Sequence, residues 1–296
     1  MNGVENLQAA LLLASIVLLL IVVDILLGLS LLFSWWFPVG AYECNSAIAN
    51  YFWGYFQLIF EEWHQASISF SGDSLPSGES AVVLCNHGSW SDFYLIQSLA
   101  RRSGMLGRCR YFVKKSLAYV PFLGPAFLAV RMVMVSRNWT RDQTTLEQTF
   151  GGIKRYRYPI WLISFVEGTR MTPKKLVKSN EDARSRGGKP LAHVLQPRTK
   201  GFIATLRGLR DSHVKYVYDF SIAYASKDKF LQPPTVWETL GISRLDQHFR
   251  FHVHVRRWAI ADLPSSETAL AAWLEEQWVE KDHRLAEIKA KWALEV

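Results

Sequence analysis

From Leu7 to Phe37 the chain carries one formal charge, Asp24, in a run made mostly of Leu, Ile, Val and Ala. As a helix rising about 1.5 Å per residue, such a run exceeds the roughly 30 Å hydrocarbon core of a bilayer. A secretory leader has a basic start, a shorter apolar stretch and a small-residue cleavage site. Here Glu5 precedes the run and Trp35, Trp36 and Pro38 follow it, so it reads as a membrane anchor. A carboxylate at mid-bilayer costs on the order of 3 kcal/mol. The helix is therefore expected to tilt, to break near Gly28, or to bury Asp24 against protein. No Lys or Arg lies between Met1 and Arg101, so the charge rule for orientation has nothing to act on. A second aromatic stretch, Ile48 to Trp63, is too short to span and reads as a helix lying in the interface, with an ordinary core helix of the domain that follows as the alternative. Residues 1–66 are thus expected to form the membrane anchor and interfacial helix, and residues 67–296 the soluble domain.

Past the turn-rich segment Gly72 to Ser80, short apolar runs alternate with helical ones. Ala81 to Cys85, Arg110 to Val113, Met132 to Val135, Ile160 to Phe165, Val217 to Tyr224 and Phe251 to Val255 read as strands. Ser91 to Arg101, Gln143 to Tyr156 and Glu267 to Trp292 read as helices, and Pro121 to Pro125 as a turn. This alternation predicts an α/β fold, a mixed and mostly buried sheet flanked by helices. Ser164 to Lys200 is expected to be a long, basic, irregular loop. Cys44, Cys85 and Cys109 have no CxxC spacing and cannot all pair, which argues for reduced thiols and a cytosolic face. The +8 net charge suits any polyanion and does not choose among nucleic acid, lipid and phosphorylated small molecules.

Two segments carry the residue types of a reaction centre. In Asn86-His87-Gly88-Ser89-Trp90-Ser91-Asp92 a His and an Asp stand five residues apart after a strand. On one continuous helix they would point about 140° apart, so they meet only if Gly88 and Ser89 make a turn. Asp92 then accepts from one imidazole nitrogen and leaves the other as a base. Phe165-Val166-Glu167-Gly168-Thr169-Arg170 ends another strand, with Arg170 shaped for phosphate oxygens and Glu167 for a hydroxyl or for Arg170 itself. The alternative there is a local Glu-Arg pair capping a helix.

Together, NHGSWSD and FVEGTR resemble the first and third motifs of the glycerolipid acyltransferase superfamily, which includes the lysophosphatidic acid acyltransferases. Arg110 to Gly124, Ser136-Arg137, Leu195 to Phe202 and Tyr218 to Tyr224 resemble its eukaryotic-type branch in the same order. Ordered coverage runs from Ala81 to Pro234, and Gly88 departs from the larger polar or basic residue often found there. The resemblance implies transfer of a fatty acyl group from acyl-CoA to the free hydroxyl of lysophosphatidic acid. His87 would be the general base and Asp92 its orienter. Glu167, Gly168, Thr169 and Arg170, with Arg137 and Lys114 nearby, would bind the acceptor, and backbone N–H groups of the Asn86 to Ser89 turn would face the oxyanion. It further implies a cytosolic site on an internal membrane such as the endoplasmic reticulum, the bilayer as partner, acyl-CoA as co-substrate, and no cofactor, metal or nucleic acid. Remodelling of lysophosphatidylinositol or lysocardiolipin is the alternative within the family, and a catalytically silent lipid-binding protein the alternative outside it. The absence of GxSxG and HExxH removes the usual serine and zinc hydrolase signatures. His252-Val-His254 has no third ligand at recognisable spacing and reads as plain strand.

Overall fold

A computed structural model describes residues 1–121, 123–136, 138–226 and 229–295. The apolar run is one unbroken helix, α1 (Gly3–Phe33), opened by a capping box in which Asn2 and Glu5 serve each other's backbone N–H. It is long and apolar enough to cross a membrane, and most of its surface is exposed. Gly28 does not interrupt it. Ala9, Ile16, Val23 and Leu27 instead form a buried stripe, with Asp24 on the same sheltered side.

After the exposed Trp35-Trp36 turn, α2 (Pro38–Gln57) starts with proline in its first turn, where a missing N–H is harmless. It begins ten residues before the aromatic stretch and passes into a π-helical turn, Leu58–Trp63. One side joins the body of the protein: Tyr42 donates to the Pro159 carbonyl (2.6 Å), Asn45 to that of Ala129 (2.8 Å), and Ser46 accepts from buried Arg110 (2.7 Å). Tyr51 on the other side is exposed.

The chain then runs β1 (Ile68–Gly72), β2 (Ala81–Cys85), α3 (Asp92–Arg102), β3 (Cys109–Lys114), α4 (Leu123–Ala129), β4 (Val133–Val135), α5 (Trp139–Tyr156) and β5 (Trp161–Ser164). It continues through α6 (Pro173–Arg184), α7 (Thr199–Leu209), β6 (Tyr216–Ser226), β7 (Lys229–Phe230), α8 (Val236–Gly241), β8 (Phe249–Ala259) and α9 (Glu267–Leu294). The strands form one mixed sheet in the order β1-β8-β6-β2-β5-β3-β4, with β7 beside β6. All neighbouring pairs are parallel except β6 with β8 and with β7.

Both faces are covered, which is why the central strands are apolar throughout. On β2, Ala81, Val83 and Cys85 face a core shared with α3, while Val82 and Leu84 face the core built by α5, α7 and α9. The N-terminal stripe is covered too: Ala9 and Ile16 pack with Ile59 and with Leu240 of α8, and Val23 and Leu27 with Ala126 and Ala129 of α4.

Two sequence expectations need correction. Ser164 to Lys200 is not irregular throughout, because Thr172 caps α6 by accepting from the Lys175 N–H and Pro173 occupies its first turn. The Pro121 to Pro125 turn gives way at Leu123 to α4, which holds Pro125 in its first turn. Among the described residues no group of three or more His, Cys, Asp or Glu is placed to hold a metal ion. His252 and His254 are engaged with the Ser69 and Ser71 hydroxyls at 2.7–2.8 Å.

Candidate active site

Because β2, β3, β4 and β5 run parallel, their C-terminal ends share one edge of the sheet, where open α/β folds collect their ligands. Asn86 extends β2 by one side chain: its amide donates to the Ile222 carbonyl (2.9 Å) and accepts from the Ile222 N–H (2.8 Å). The chain then turns, and Asp92 opens α3 directly beneath it.

The His87 Nδ1 lies 2.7 Å from Oδ2 of Asp92. The carboxylate is fully buried and the imidazole 17% exposed. Oδ2 also accepts from the N–H groups of Gly88 (2.9 Å) and Ser89 (3.0 Å), which fixes the turn and the carboxylate together. Phe165 stacks on the imidazole with ring centres 4.1 Å apart. Ring packing and the Asp92 contact hold His87 in one orientation, with Nε2 free of any partner among the described residues. A carboxylate on Nδ1 puts the ring proton there and leaves Nε2 as the basic atom.

The second segment crosses immediately against the first. The His87 N–H donates to Oε1 of Glu167 (3.3 Å), and the His87 carbonyl accepts from the Met171 N–H (2.7 Å). Glu167, offered by the sequence as a partner for a hydroxyl or for Arg170, points inward and makes no contact with the Arg170 guanidinium among the described residues. It is 2% exposed, its Oε2 has no partner, and burial raises its pKa to about 8 against backbone N–H groups of Leu195 and His87 that pull it down. It ties two loops together and is mostly protonated at neutral pH. With His87 spent on Glu167, and Gly88 and Ser89 on Asp92, those three N–H groups are not free to face an oxyanion.

Gly168 adopts φ of +72°, a left-handed conformation that favours glycine, and a Cβ there would lie 2.8 Å from Nε of Arg198. The Arg198 side chain therefore lies over this turn, and its backbone N–H donates to the Val166 carbonyl (2.7 Å). Lys175 donates to the Thr169 hydroxyl (2.6 Å) and the Arg170 carbonyl (3.1 Å). Arg170 is exposed, and no acceptor pairs with its guanidinium among the described residues. Three cations, Arg170, Lys175 and Arg198, thus surround one tight turn. Lys114 is exposed at the end of β3, beside Val135 in register. Arg137, also expected at the site, lies outside the described residues.

Sequence reasoning passed over Phe165, Lys175 and Arg198 as individuals. Only the basic character of the segment containing the two cations was visible beforehand. Behind His87 a small cavity is lined by Asn86, Glu167, His193, Tyr224 and Leu231. Its outer wall depends on α9, where Asp282 accepts from the N–H groups of Ala192 (3.0 Å) and His193 (2.6 Å). Lys281, fully buried one residue earlier, donates to Asp219 and to the Phe220 carbonyl (2.7 Å) on β6.

A family model described as Acyltransferase matches residues 67–206, and one described as Acyltransferase C-terminus matches residues 244–291. The chain is 33% identical over 244 residues to 1-acyl-sn-glycerol-3-phosphate acyltransferase 2 of Arabidopsis thaliana, covering 81% of this chain and 61% of that protein. It is 35% identical over 204 residues to the human 1-acyl-sn-glycerol-3-phosphate acyltransferase delta, covering 69% of this chain and 52% of that protein. It therefore spans between half and two thirds of the length of these relatives. Among solved structures it is similar to the 1-acyl-sn-glycerophosphate acyltransferase PlsC from Thermotoga maritima. That match has a TM-score of 0.50 and 16% identity, and covers 90% of this chain and 96% of that one. At that identity the likeness is one of fold.

Proposed function

The chain belongs to the glycerolipid acyltransferase superfamily, and on that premise we propose that it transfers a fatty acyl group from acyl-CoA to the free hydroxyl of lysophosphatidic acid, giving phosphatidic acid. The observation that carries this reading is the His87 imidazole. It is oriented by Asp92 at 2.7 Å, stacked on Phe165 and open at Nε2, next to a turn ringed by cations.

In this mechanism Nε2 takes the acceptor's hydroxyl proton as its oxygen attacks the thioester carbonyl. A C–O bond forms, the tetrahedral adduct collapses with cleavage of the C–S bond, and the proton passes from Nε2 to the departing CoA sulfur. Asp92 stabilises the transient imidazolium, and no acyl-enzyme is required. Arg170 and Arg198 hold the acceptor phosphate, Arg170 by its planar fork, and Lys175 keeps the Thr169–Arg170 segment in place. Lys114 adds positive charge at the end of β3, and Arg137 is included among the acceptor-binding residues on the strength of the family resemblance alone. The relatives' names support lysophosphatidic acid as acceptor.

The protein sits on a membrane through α1, and its three free cysteines suit a cytosol-facing domain on an internal membrane such as the endoplasmic reticulum. The test is transfer from oleoyl-CoA by the full chain to lysophosphatidic acid, lysophosphatidylinositol and lysocardiolipin in parallel. Lysophosphatidic acid is expected to be the best acceptor. Transfer only to the headgroup-bearing lipids would replace this reading with the remodelling one.

A further inference from the structure

Tyr224 has been given no role so far, yet its hydroxyl ends against Gly88 in the His87 turn. It lies on β6, which runs parallel to β2 with Phe220 opposite Cys85 and continues past the end of that strand alongside the turn. Tyr218, Phe220, Ile222 and Tyr224 alternate onto the face packed by α3, so the ring rises beneath Asp92. The ring is 1% exposed. A Cβ placed on Gly88 would lie 1.7 Å from the Tyr224 hydroxyl oxygen and 3.0 Å from Cζ. No rotation of a methyl group relieves a contact of that kind, so the phenol occupies the space that glycine leaves.

The hydroxyl lies beside the side chains of Asp92 and Ser89. Oδ2 of Asp92 already takes three donors, whereas Oδ1 is buried without a partner and is the acceptor left for a neighbouring hydroxyl. Burial, reinforced by the charges of Asp92 and Glu167, raises the Tyr224 pKa well above its ordinary value, so the phenol stays protonated and can donate.

We propose that Tyr224 is a positioning residue for the His87–Asp92 pair, its hydroxyl seated in the space left by Gly88 and donating to Asp92, so that the carboxylate keeps its aim at His87 Nδ1. The proposal deepens the acyltransferase reading and rests on it for its catalytic consequence, but the predicted effect on the imidazole exists whatever the reaction. Groups that face this pair are Asp92 from α3, Glu167 after β5, His193 before α7 and, through Glu167, Lys281 of α9.

Removing the phenol hydroxyl withdraws a donor from Asp92, which then holds an imidazolium more tightly. In Tyr224→Phe the His87 titration midpoint, followed by NMR of histidine-labelled full chain in detergent, is expected to rise by about half a pH unit or more. Its kcat should fall about tenfold with KM for both substrates within about twofold. Gly88→Ala should lose activity by at least about tenfold, and adding Tyr224→Phe to it should restore the level of Tyr224→Phe alone, since the clashing atom is gone. An unchanged His87 midpoint in a folded Tyr224→Phe protein would overturn the proposal, as would a fully active Gly88→Ala. Wild-type protein that transfers no acyl group would count against the reaction, and the titration would still decide the role of Tyr224.

Discussion

His87 is held on every side but Nε2: its Nδ1 by Asp92, one ring face by Phe165 and its backbone by Glu167 and Met171. The pairing of His87 with Asp92 was readable from their spacing and the intervening Gly-Ser turn. Phe165 was not, because stacking across two strands leaves no mark on local sequence. Glu167 misled for a related reason. Beside Arg170 in sequence it looks like that residue's partner, but the strand end turns it inward. Its pKa near 8 gives a signed prediction. A carboxyl that holds its proton more tightly when folded removes stability as pH rises from its unfolded value near 4.5 to about 8, with a slope approaching about 1.4 kcal/mol per pH unit. Glu167→Gln cannot ionise, so its melting temperature should gain on wild type progressively between pH 5 and 8. Parallel melting curves across that range would contradict the assignment. At Arg170, substitution by Lys keeps charge and loses the fork, so the acceptor KM should rise about tenfold with kcat little changed. An unchanged KM in steady-state assays would remove it from the phosphate site.

At the scale of elements, the six strands read from sequence all form, since buried parallel strands announce themselves as short apolar runs between turn residues. Helix α7 escaped although Phe202, Leu206 and Leu209 are buried, and two other elements that escaped have little burial to imprint a pattern. β1 is a Ser-rich edge strand, and α6 buries only Ala183. The Thr172-Pro173 cap was a legible start signal, overshadowed by the basic composition around it. α9 was readable as a helix, but its sequence did not mark the turn that buries Trp278 and Lys281 completely. A charge buried that deeply stands only with its partner, so Lys281→Ala should destabilise the fold by about 3 to 5 kcal/mol by leaving Asp219 alone. Denaturant unfolding checks this, and a change under about 1 kcal/mol would show the pair to be dispensable.

Taken as a whole, the molecule joins an α/β body to an apolar helix that is packed along one stripe and exposed along the rest. The long apolar helix was legible from the run between Leu7 and Phe37, whereas the packing of α1 on α4 and α8 was not, because it depends on small residues such as Ala126 and Gly241 far along the chain. Hydrophobic insertion is not screened by salt. The full chain should therefore float with lipid vesicles equally at low and at about 1 M salt, and release by salt would point to a purely electrostatic attachment. The central claim is that His87 activates a lipid hydroxyl against acyl-CoA. It is tested most directly by following free thiol release from oleoyl-CoA by the full chain in lipid, with and without lysophosphatidic acid, beside His87→Ala. The account predicts release that requires the acceptor, matches phosphatidic acid formed, and disappears in a folded, membrane-bound His87→Ala protein. Acceptor-independent release, or comparable turnover in that variant, would contradict it.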